Sequence, residues 1–157
     1  MLYLCEKHRK SGVHIRRIYL DTCAWCRPFD APSSKRVLEE SNAIPEILRR
    51  VDAGEFEIID SSVLLAEISM IAPKLKEEAV LSFVKHVARR HAIVNDAVER
   101  LASDIMRACS IGALDALHLA IAIENKAELF ITTDDVILNK TRCISKYKIT
   151  VKNPCEV

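Results

Sequence analysis

Short apolar runs rich in β-branched residues alternate along this chain with longer segments in which apolar residues recur at helical spacing. The short runs predict strands at residues 15–20, 56–59, 91–94, 129–131 and 148–151. The longer segments predict helices that begin near Ser33 or Ser34, at about 63, 73 and 96, and after Gly112. Strands and helices that alternate in this way are typical of an α/β domain with parallel strands joined by right-handed crossovers.

The first long helix contains a proline. Pro45 lacks the N–H that a helix interior uses, so we expect either a kink there or a second segment that begins near Asn42. A turn-like segment, 28–32, precedes this helix. Gly54 ends the helical region before the second strand.

The length of 157 residues suits one domain with a substantial core and is short for two. Half of the residues are hydrophobic and 29% are charged, which argues against a disordered or fibrous chain. The longest apolar stretches, such as 113–123, are interrupted by Asp115 and His118 and fall short of the roughly 20 residues that cross a bilayer. We therefore expect a single domain over residues 15–157 and no membrane span.

Residues 1–14 differ in character from the rest of the chain. An apolar start is followed at once by the charged run 6–10, which reverses the charge order of a secretory signal. We therefore expect a cytoplasmic protein. The segment itself is interpreted as a leader, and a loose terminus, a nucleic-acid arm and a by-product of an upstream start codon all stay open as explanations.

The net charge of +1 gives no general attraction to a polyanion, so any nucleic-acid surface must be local. The arginine pairs at 16–17 and 49–50 and the basic run Arg89-Arg90-His91 are candidates for such a surface. The alternative interpretation is that each pair is an ordinary solvated charge cluster at the end of an element. RNA binding by these pairs stays open.

Six cysteines occur, at positions 5, 23, 26, 109, 143 and 155. Because a signal peptide is not expected, we predict reduced thiols rather than a disulfide framework. Cys23 and Cys26 have the spacing of zinc knuckles and of redox motifs. A second pair of zinc ligands and a thioredoxin-like setting are both lacking, so metal or redox use of this pair is the minor interpretation.

Four acidic residues lie where a parallel sheet places its chemistry. Asp21 and Asp134 follow predicted strands, and ligands of such sheets bind beyond the carboxyl ends of strands. Asp115 and Glu67 interrupt apolar helices, where an unpaired carboxylate is unfavourable. Taken singly, each aspartate can instead cap a turn or helix, and Glu67 can instead lie on a solvated face.

Clustered carboxylates raise one another's pKa, and a divalent cation removes that penalty. A set of oxygen ligands suits Mg²⁺ or Mn²⁺ better than zinc. Such ions activate a water molecule and stabilise the leaving oxygen of a phosphodiester. The four acids therefore predict a site for phosphodiester hydrolysis that needs no nucleophilic side chain.

These residues resemble the four motifs of the PIN-domain family. Segment 18–22 (IYLDT) resembles the first motif, 62–67 the second, 115–120 (DALHLA) the third and 130–134 (FITTD) the fourth. Their order and spacing agree over about residues 15–151, and the third and fourth motifs are the more specific. The segment CAWCRPFD at 23–30 departs from the aliphatic continuation that usually follows the first motif.

The resemblance implies a three-layer α/β/α sandwich with a central, mainly parallel sheet, and an endoribonuclease site that uses Mg²⁺ or Mn²⁺. By position it assigns metal binding and catalysis to Asp21, Glu67, Asp115 and Asp134. It also implies support from Thr132 or Thr133, with Asp135 as the alternative to Asp134. Many small members are VapC-like toxins, so the resemblance further implies an RNA substrate, an antitoxin partner and a homodimer.

Two other functions fit part of the pattern. A PIN-like module that binds RNA or regulates a partner with little turnover would keep the acids without cleaving. A response-regulator receiver domain also has acids beyond parallel strands. The receiver is disfavoured because Asp21 stands alone at the first strand and the expected lysine after the fifth strand is lacking.

Two side chains near the acids each have two interpretations. His118 lies one helical turn after Asp115 and can join the metal shell, but we favour a packed or hydrogen-bonded histidine. Trp25 can stack on a base near the site or pack in the core.

Overall fold

The computed structural model describes residues 14–157. The predicted leader, 1–14, lies outside the described residues except for His14, and Cys5 lies outside them as well. A single domain over 15–157 stays a prediction. Within the described range the chain forms five strands and eight α-helices.

The strands are β1 (Arg16–Leu20), β2 (Phe56–Ser61), β3 (Arg90–Ala92), β4 (Leu129–Ile131) and β5 (Thr150–Lys152). The helices are α1 (Thr22–Cys26), α2 (Lys35–Asp52), α3 (Ser62–Ile68), α4 (Lys74–Val87), α5 (Asp96–Cys109), α6 (Ala113–Glu124), α7 (Asp135–Leu138) and α8 (Thr141–Ile144). Short 3₁₀ segments lie at Arg27–Phe29, Ser145–Tyr147 and Pro154–Glu156. The predicted strands are all present, with bounds that differ by a few residues.

The five strands form one parallel sheet in the order β3-β2-β1-β4-β5. β1 is central, and its Ile18 is in register with Ile58 on one side and Leu129 on the other. The chain winds outward from β1 in one direction through β2 and β3, and in the other through β4 and β5. The reversal falls between β1 and β4, which is where open parallel sheets bind their ligands.

The core is dominated by aliphatic side chains. Ile18 and Leu20 of β1 and Ile131 of β4 are completely buried. Helices and sheet give the three-layer α/β/α arrangement, which confirms the predicted fold class, and the sheet is parallel throughout. Between residues 14 and 157, no helix combines the length and apolar character needed to cross a bilayer.

Helix α2 runs through Pro45 without interruption, so the predicted second segment near Asn42 is wrong. The helix begins after Ser34, whose side chain accepts a hydrogen bond from the Val37 N–H. A proline removes only the one bond that its own N–H would donate. The buried positions on both sides of it, Ile44 and Ile47, keep the helix packed on the core.

Helices α1, α7 and α8 were not predicted. Each has only four or five residues, which is too short for a helical period to show in the sequence. Asp21 is the N-cap of α1 and Asp134 is the N-cap of α7. The prediction that these two aspartates can cap a turn or helix is therefore confirmed. Capping a helix is compatible with a second role at a shared site.

Cys109 at the end of α5 is disulfide-bonded to Cys143 in α8. This finding corrects the prediction of reduced thiols for these two residues, whereas Cys23, Cys26 and Cys155 are free. The bonded residues are 34 positions apart, and the packing of α5 against α8 brings them together. The positions of the cysteines in the sequence therefore do not predict this disulfide.

We expect reduction of this bond, or Cys143→Ser, to lower the free energy of unfolding by about 3–4 kcal/mol, because a cross-link that closes a loop of this length restricts the unfolded chain. Denaturant unfolding of the oxidised and reduced protein measures the effect. Cys155→Ser at an exposed free thiol is the control, with an expected change within about 0.5 kcal/mol. Coincident transitions for the oxidised and reduced forms would contradict the prediction.

Candidate metal centre

Asp21 and Thr132 join the carboxyl ends of β1 and β4. The Asp21 N–H donates to the Ile131 carbonyl at 2.9 Å, so the backbone pairing continues past the strands. The Thr132 hydroxyl donates to Asp21 Oδ2 at 3.0 Å and accepts the Asp134 N–H at 3.1 Å. One threonine therefore sets the spacing of the two aspartates that follow these strands.

Asp21 is buried, with 6% of its surface exposed. Its Oδ1 accepts the Thr22 N–H at 2.8 Å, and the Cys23 thiol donates to Oδ2 at 3.3 Å. Burial raises the pKa of Asp21 above its ordinary value, although these hydrogen bonds favour the ionised form. A cation beside the carboxylate would remove that burial penalty.

Glu67 lies near the end of α3 and faces the same region. Its Oε2 accepts hydrogen bonds from His118 Nε2, at 2.9 Å, and from the Thr22 hydroxyl. The hydrogen bond from His118 lowers the pKa of Glu67, and the one from Thr22 acts in the same direction. Because its side chain is only 29% exposed and is held by two donors, the interpretation of Glu67 as a solvated surface acid is wrong.

Asp115 lies in the first turn of α6, whose N-cap is Gly112, so its interpretation as the cap residue is wrong. Burial raises the pKa of Asp115, and the negative charges of Asp21 and Asp134 raise it further. Such coupling requires the carboxylates to be near one another, since charges in contact with water are screened over longer distances. The charge of Asp115 is therefore coupled to those of Asp21 and Asp134, although the group of ligand atoms within 4.8 Å of one another contains Asp21, Glu67 and His118 and neither Asp115 nor Asp134.

The two adjacent aspartates after β4 have different environments. Both carboxylate oxygens of Asp135 accept from the Arg36 guanidinium, at 2.8 and 2.9 Å, and its side chain is 65% exposed. Asp134, by contrast, is one of the charges that raise the pKa of Asp115. The ion pair that engages Asp135 and the coupling of Asp134 to Asp115 favour Asp134 as the fourth acid.

His118 lies among the acids as well. One of its ring nitrogens, one oxygen of Asp21 and one oxygen of Glu67 lie within 4.8 Å of one another. The ring is buried, and its Nδ1 is 2.7 Å from the Tyr19 hydroxyl. The interpretation of His118 as a packed, hydrogen-bonded histidine fits these contacts, and the ring is also part of the acidic cluster.

An ion-pair network around the buried Glu40 holds the segment after β4 against α2. Arg36 donates to the Thr133 carbonyl at 3.1 Å and to Glu40 at 2.9 Å. Glu40 is 1% exposed, also lies 2.9 Å from Arg27 Nε and accepts from Asn153 at 2.6 Å. The network thus connects the site to the segment 23–30 that departs from the usual PIN pattern.

Within that segment, Trp25 and Cys23 pack beside the site. The Trp25 ring is fully buried and meets Phe83 edge-on at 5.9 Å, so its interpretation as a base-stacking residue is wrong. Burial, with the charge of Asp21, raises the pKa of Cys23 to about 12. A thiol that stays protonated is a poor nucleophile, so this environment does not favour redox chemistry at Cys23.

The predicted candidate arginine pairs lie away from the acids. Arg17, Arg89 and Arg90 line a hollow of about 580 Å³ at the amino ends of the strands, and Arg17 and Arg90 share Glu57 at 3.3 and 2.8 Å. Neighbouring glutamates engage the pair at 49–50. These pairs therefore do not supply a cationic surface at the carboxyl ends of the strands.

Sequence reasoning assigned no site role to Tyr19, Thr22 and Ser61, and considered Cys23 only for zinc or redox chemistry. A signal for Tyr19 exists, because it precedes Asp21 by two positions and alternate residues of a strand share a face. Thr22 and Cys23 follow Asp21, and Ser61 precedes the helix predicted to begin near 63, but their residue types carry no separate signal of a contact with the acids. Thr133 was predicted as a support, but its hydroxyl has no hydrogen-bond partner among residues 14–157.

The chain resembles known proteins over most of its length. A family model described as the PIN domain matches residues 18–142. Fourteen chains of solved structures match, among them the crystal structure of VapC20 from Mycobacterium tuberculosis, described as a sarcin-ricin loop cleaving toxin. VapC20 is 15% identical, the match covers 78% of this chain and 94% of VapC20, and the TM-score is 0.57, so the likeness shows the fold. No curated protein matches the chain.

Proposed function

The chain belongs to the PIN-domain family, and from this premise we propose that it is a divalent-metal-dependent endoribonuclease. The supporting observation is that ligand atoms of Asp21 and Glu67 lie within 4.8 Å of each other beyond β1, in one group with His118, and that the charges of Asp21, Asp134 and Glu67 all raise the pKa of Asp115. We assign metal binding and catalysis to Asp21, Glu67, Asp115 and Asp134. The proposed reaction is hydrolysis of an RNA phosphodiester bond.

The residues present fit Mg²⁺ or Mn²⁺. Carboxylate oxygens are the ligands that these ions prefer. The raised pKa of Asp21 and of Asp115 means that their charges need compensation, which a dication supplies. When bound, such an ion would stabilise negative charge on the phosphodiester and favour deprotonation of an attacking water.

The chain's own side chains hold the acids in place. Thr132 and Cys23 fix the orientation of Asp21, and Thr22 and His118 fix that of Glu67. Arg36 holds the backbone just before Asp134. Ligands that are oriented in advance bind a metal in a defined geometry and lose less conformational freedom when the substrate binds.

The test of the proposed function is cleavage of an RNA panel by the purified protein. We expect cleavage with Mg²⁺ or Mn²⁺, its loss after addition of EDTA, and its recovery when excess Mn²⁺ is restored. RNA binding without cleavage in either metal would overturn the proposal. That outcome would favour the alternative role as an RNA-binding or regulatory module.

The two neighbouring aspartates provide a second prediction. We expect Asp134→Asn to slow cleavage by more than about tenfold, since it removes a charge from the acidic cluster. Asp135→Asn removes an exposed ion pair with Arg36, worth about 0–1 kcal/mol, so its effect should stay within about fivefold. Initial rates under identical metal concentrations give the comparison. The reverse order would assign the fourth acid to Asp135.

We further propose that this nuclease acts in the cytoplasm as the toxin of a toxin–antitoxin pair, as a homodimer that an antitoxin protein restrains. The support is the fold shared with VapC20, which is described as a toxin. Induced expression should arrest growth, whereas the Asp115→Asn variant should not. Growth arrest by both proteins would argue against toxicity through cleavage.

A further inference from the structure

A chain of buried polar groups runs from the start of α3 to Glu67 near its end. Ser61 Oγ accepts the Leu64 N–H at 3.0 Å and lies 2.8 Å from the Tyr19 hydroxyl. That hydroxyl is 2.7 Å from His118 Nδ1, and His118 Nε2 is 2.9 Å from Glu67 Oε2. Because Ser61, Tyr19 and His118 are buried, bulk water does not replace these bonds.

The direction of donation along this chain follows from its acidic end. An ionised Glu67 only accepts, so the hydrogen in its bond with His118 must be on Nε2. When Nδ1 carries no hydrogen it accepts, which makes Tyr19 the donor to His118 and Ser61 the donor to Tyr19. Each hydroxyl hydrogen then has an acceptor. The reverse direction would leave the Ser61 hydrogen without an acceptor among the described residues.

We propose that His118 is a positioning residue for Glu67 rather than a metal ligand, and that Tyr19 and Ser61 hold it as the Nε2–H tautomer. Both ring nitrogens are engaged, so neither offers a free lone pair to a cation. The inference rests on the proposed function only in treating Glu67 as a metal ligand. The hydrogen-bond chain itself does not depend on that assignment.

This arrangement fixes Glu67 in two ways. Ser61 caps the helix that carries Glu67, and His118 holds the carboxylate itself. Tyr19 connects the two, and its ring stacks on Phe130 of β4 at 5.6 Å between ring centres. Partners behind a metal ligand commonly change metal affinity by about 10–100-fold when they are removed. His118 and Tyr19 should therefore affect metal binding without contacting the ion.

The tautomer is measured on the metal-free protein with ¹⁵N-labelled histidine. We expect NMR to show His118 protonated at Nε2 and unprotonated at Nδ1. We expect Tyr19→Phe to shift the Nδ1 resonance, because it removes the donor to Nδ1, while Glu67 keeps the hydrogen on Nε2. Tyr147→Phe is the matched control, since it removes a surface hydroxyl that bonds Asp104. A wild-type protein with the hydrogen on Nδ1 would overturn the proposal.

Mn²⁺ affinity, measured by EPR titration, separates positioning from direct ligation. We expect Tyr19→Phe to weaken Mn²⁺ binding by about tenfold. His118→Gln, whose amide can still donate to Glu67, should bind Mn²⁺ more tightly than His118→Leu, which cannot donate. Equal losses in the two variants, or hyperfine coupling of Mn²⁺ to the His118 nitrogen, would make His118 a ligand and overturn the proposal.

Circular dichroism and unfolding curves establish that each variant folds, and His86→Gln at an exposed histidine is the control for the substitution itself. If the wild-type protein bound no Mn²⁺ and cut no RNA, the proposed function would fail. In that case the tautomer measurement would still decide whether the chain from Ser61 to Glu67 orients His118. The two failures are therefore distinguishable.

Discussion

Asp115→Asn is expected to lower the kcat/KM for RNA cleavage by about a thousandfold or more while the protein stays folded. The substitution keeps the size of the side chain and removes its charge from a cluster that includes Asp21 and Asp134. Metal-centred stabilisation of a transition state is worth several kcal/mol, and each 1.4 kcal/mol corresponds to about tenfold in rate. A single lost ligand thus accounts for a loss of this size.

The metal-free variant should be at least as stable as the wild-type protein, because asparagine removes the repulsion and burial that raise the pKa of Asp115. Unfolding curves in EDTA measure the stability of the two metal-free proteins. A variant that is as stable as the wild-type protein but does not cleave RNA has lost the chemistry and not the fold. Asp104→Asn, at an exposed aspartate, is the matched control and should cleave normally. Wild-type rates in Asp115→Asn, in preparations free of contaminating nuclease, would reject the assignment of Asp115.

Glu40→Gln should destabilise the protein by about 3 kcal/mol, as expected when one partner of a buried ion pair is removed. Glu40 is almost completely buried and is held by Arg27, Arg36 and Asn153. Without its charge the two guanidinium groups lose their buried counterion. Since Arg36 also binds the Thr133 carbonyl, the segment that leads to Asp134 should be held less firmly, and RNA cleavage should slow as well.

Glu39→Gln is the matched control for this prediction. Glu39 occupies the neighbouring position of α2, its side chain is 56% exposed, and its contact with Lys35 is long at 3.6 Å. An exposed pair of this kind contributes little, so the free energy of unfolding should change by less than about 0.5 kcal/mol. Equal stability of Glu39→Gln and Glu40→Gln would show that the network does not stabilise the fold.

The sequence predicted the order of the main elements because strands and long helices leave periodic apolar patterns. In α5 the buried residues Val98, Ala102, Ile105 and Cys109 recur at helical spacing, whereas β1 is a short apolar run whose last three residues are all buried. The short helices α1 and α7 left no such pattern. The disulfide between Cys109 and Cys143 could not be predicted either, since it depends on how α5 packs against α8.

Part of the candidate site could also be predicted, because two of its acids follow predicted strands. Asp21 and Asp134 follow strands, and the rule for open parallel sheets directs attention to that edge. The side chains that orient the acids are uncharged: Cys23 donates to Asp21, and Tyr19 acts on Glu67 through His118. Their role follows from distances of about 3 Å between residues far apart in sequence, which are tertiary contacts.

The central place of β1 in the sheet has a consequence for the protein during its own synthesis. β1 is made first, yet the Thr132 hydroxyl that holds Asp21 lies 111 residues later in the chain. A nascent polypeptide emerging from the ribosome therefore carries Asp21 long before β4 can pair beside it. Until translation has passed that point, the growing chain lacks an assembled acidic cluster and so lacks the proposed activity toward the RNA that surrounds it.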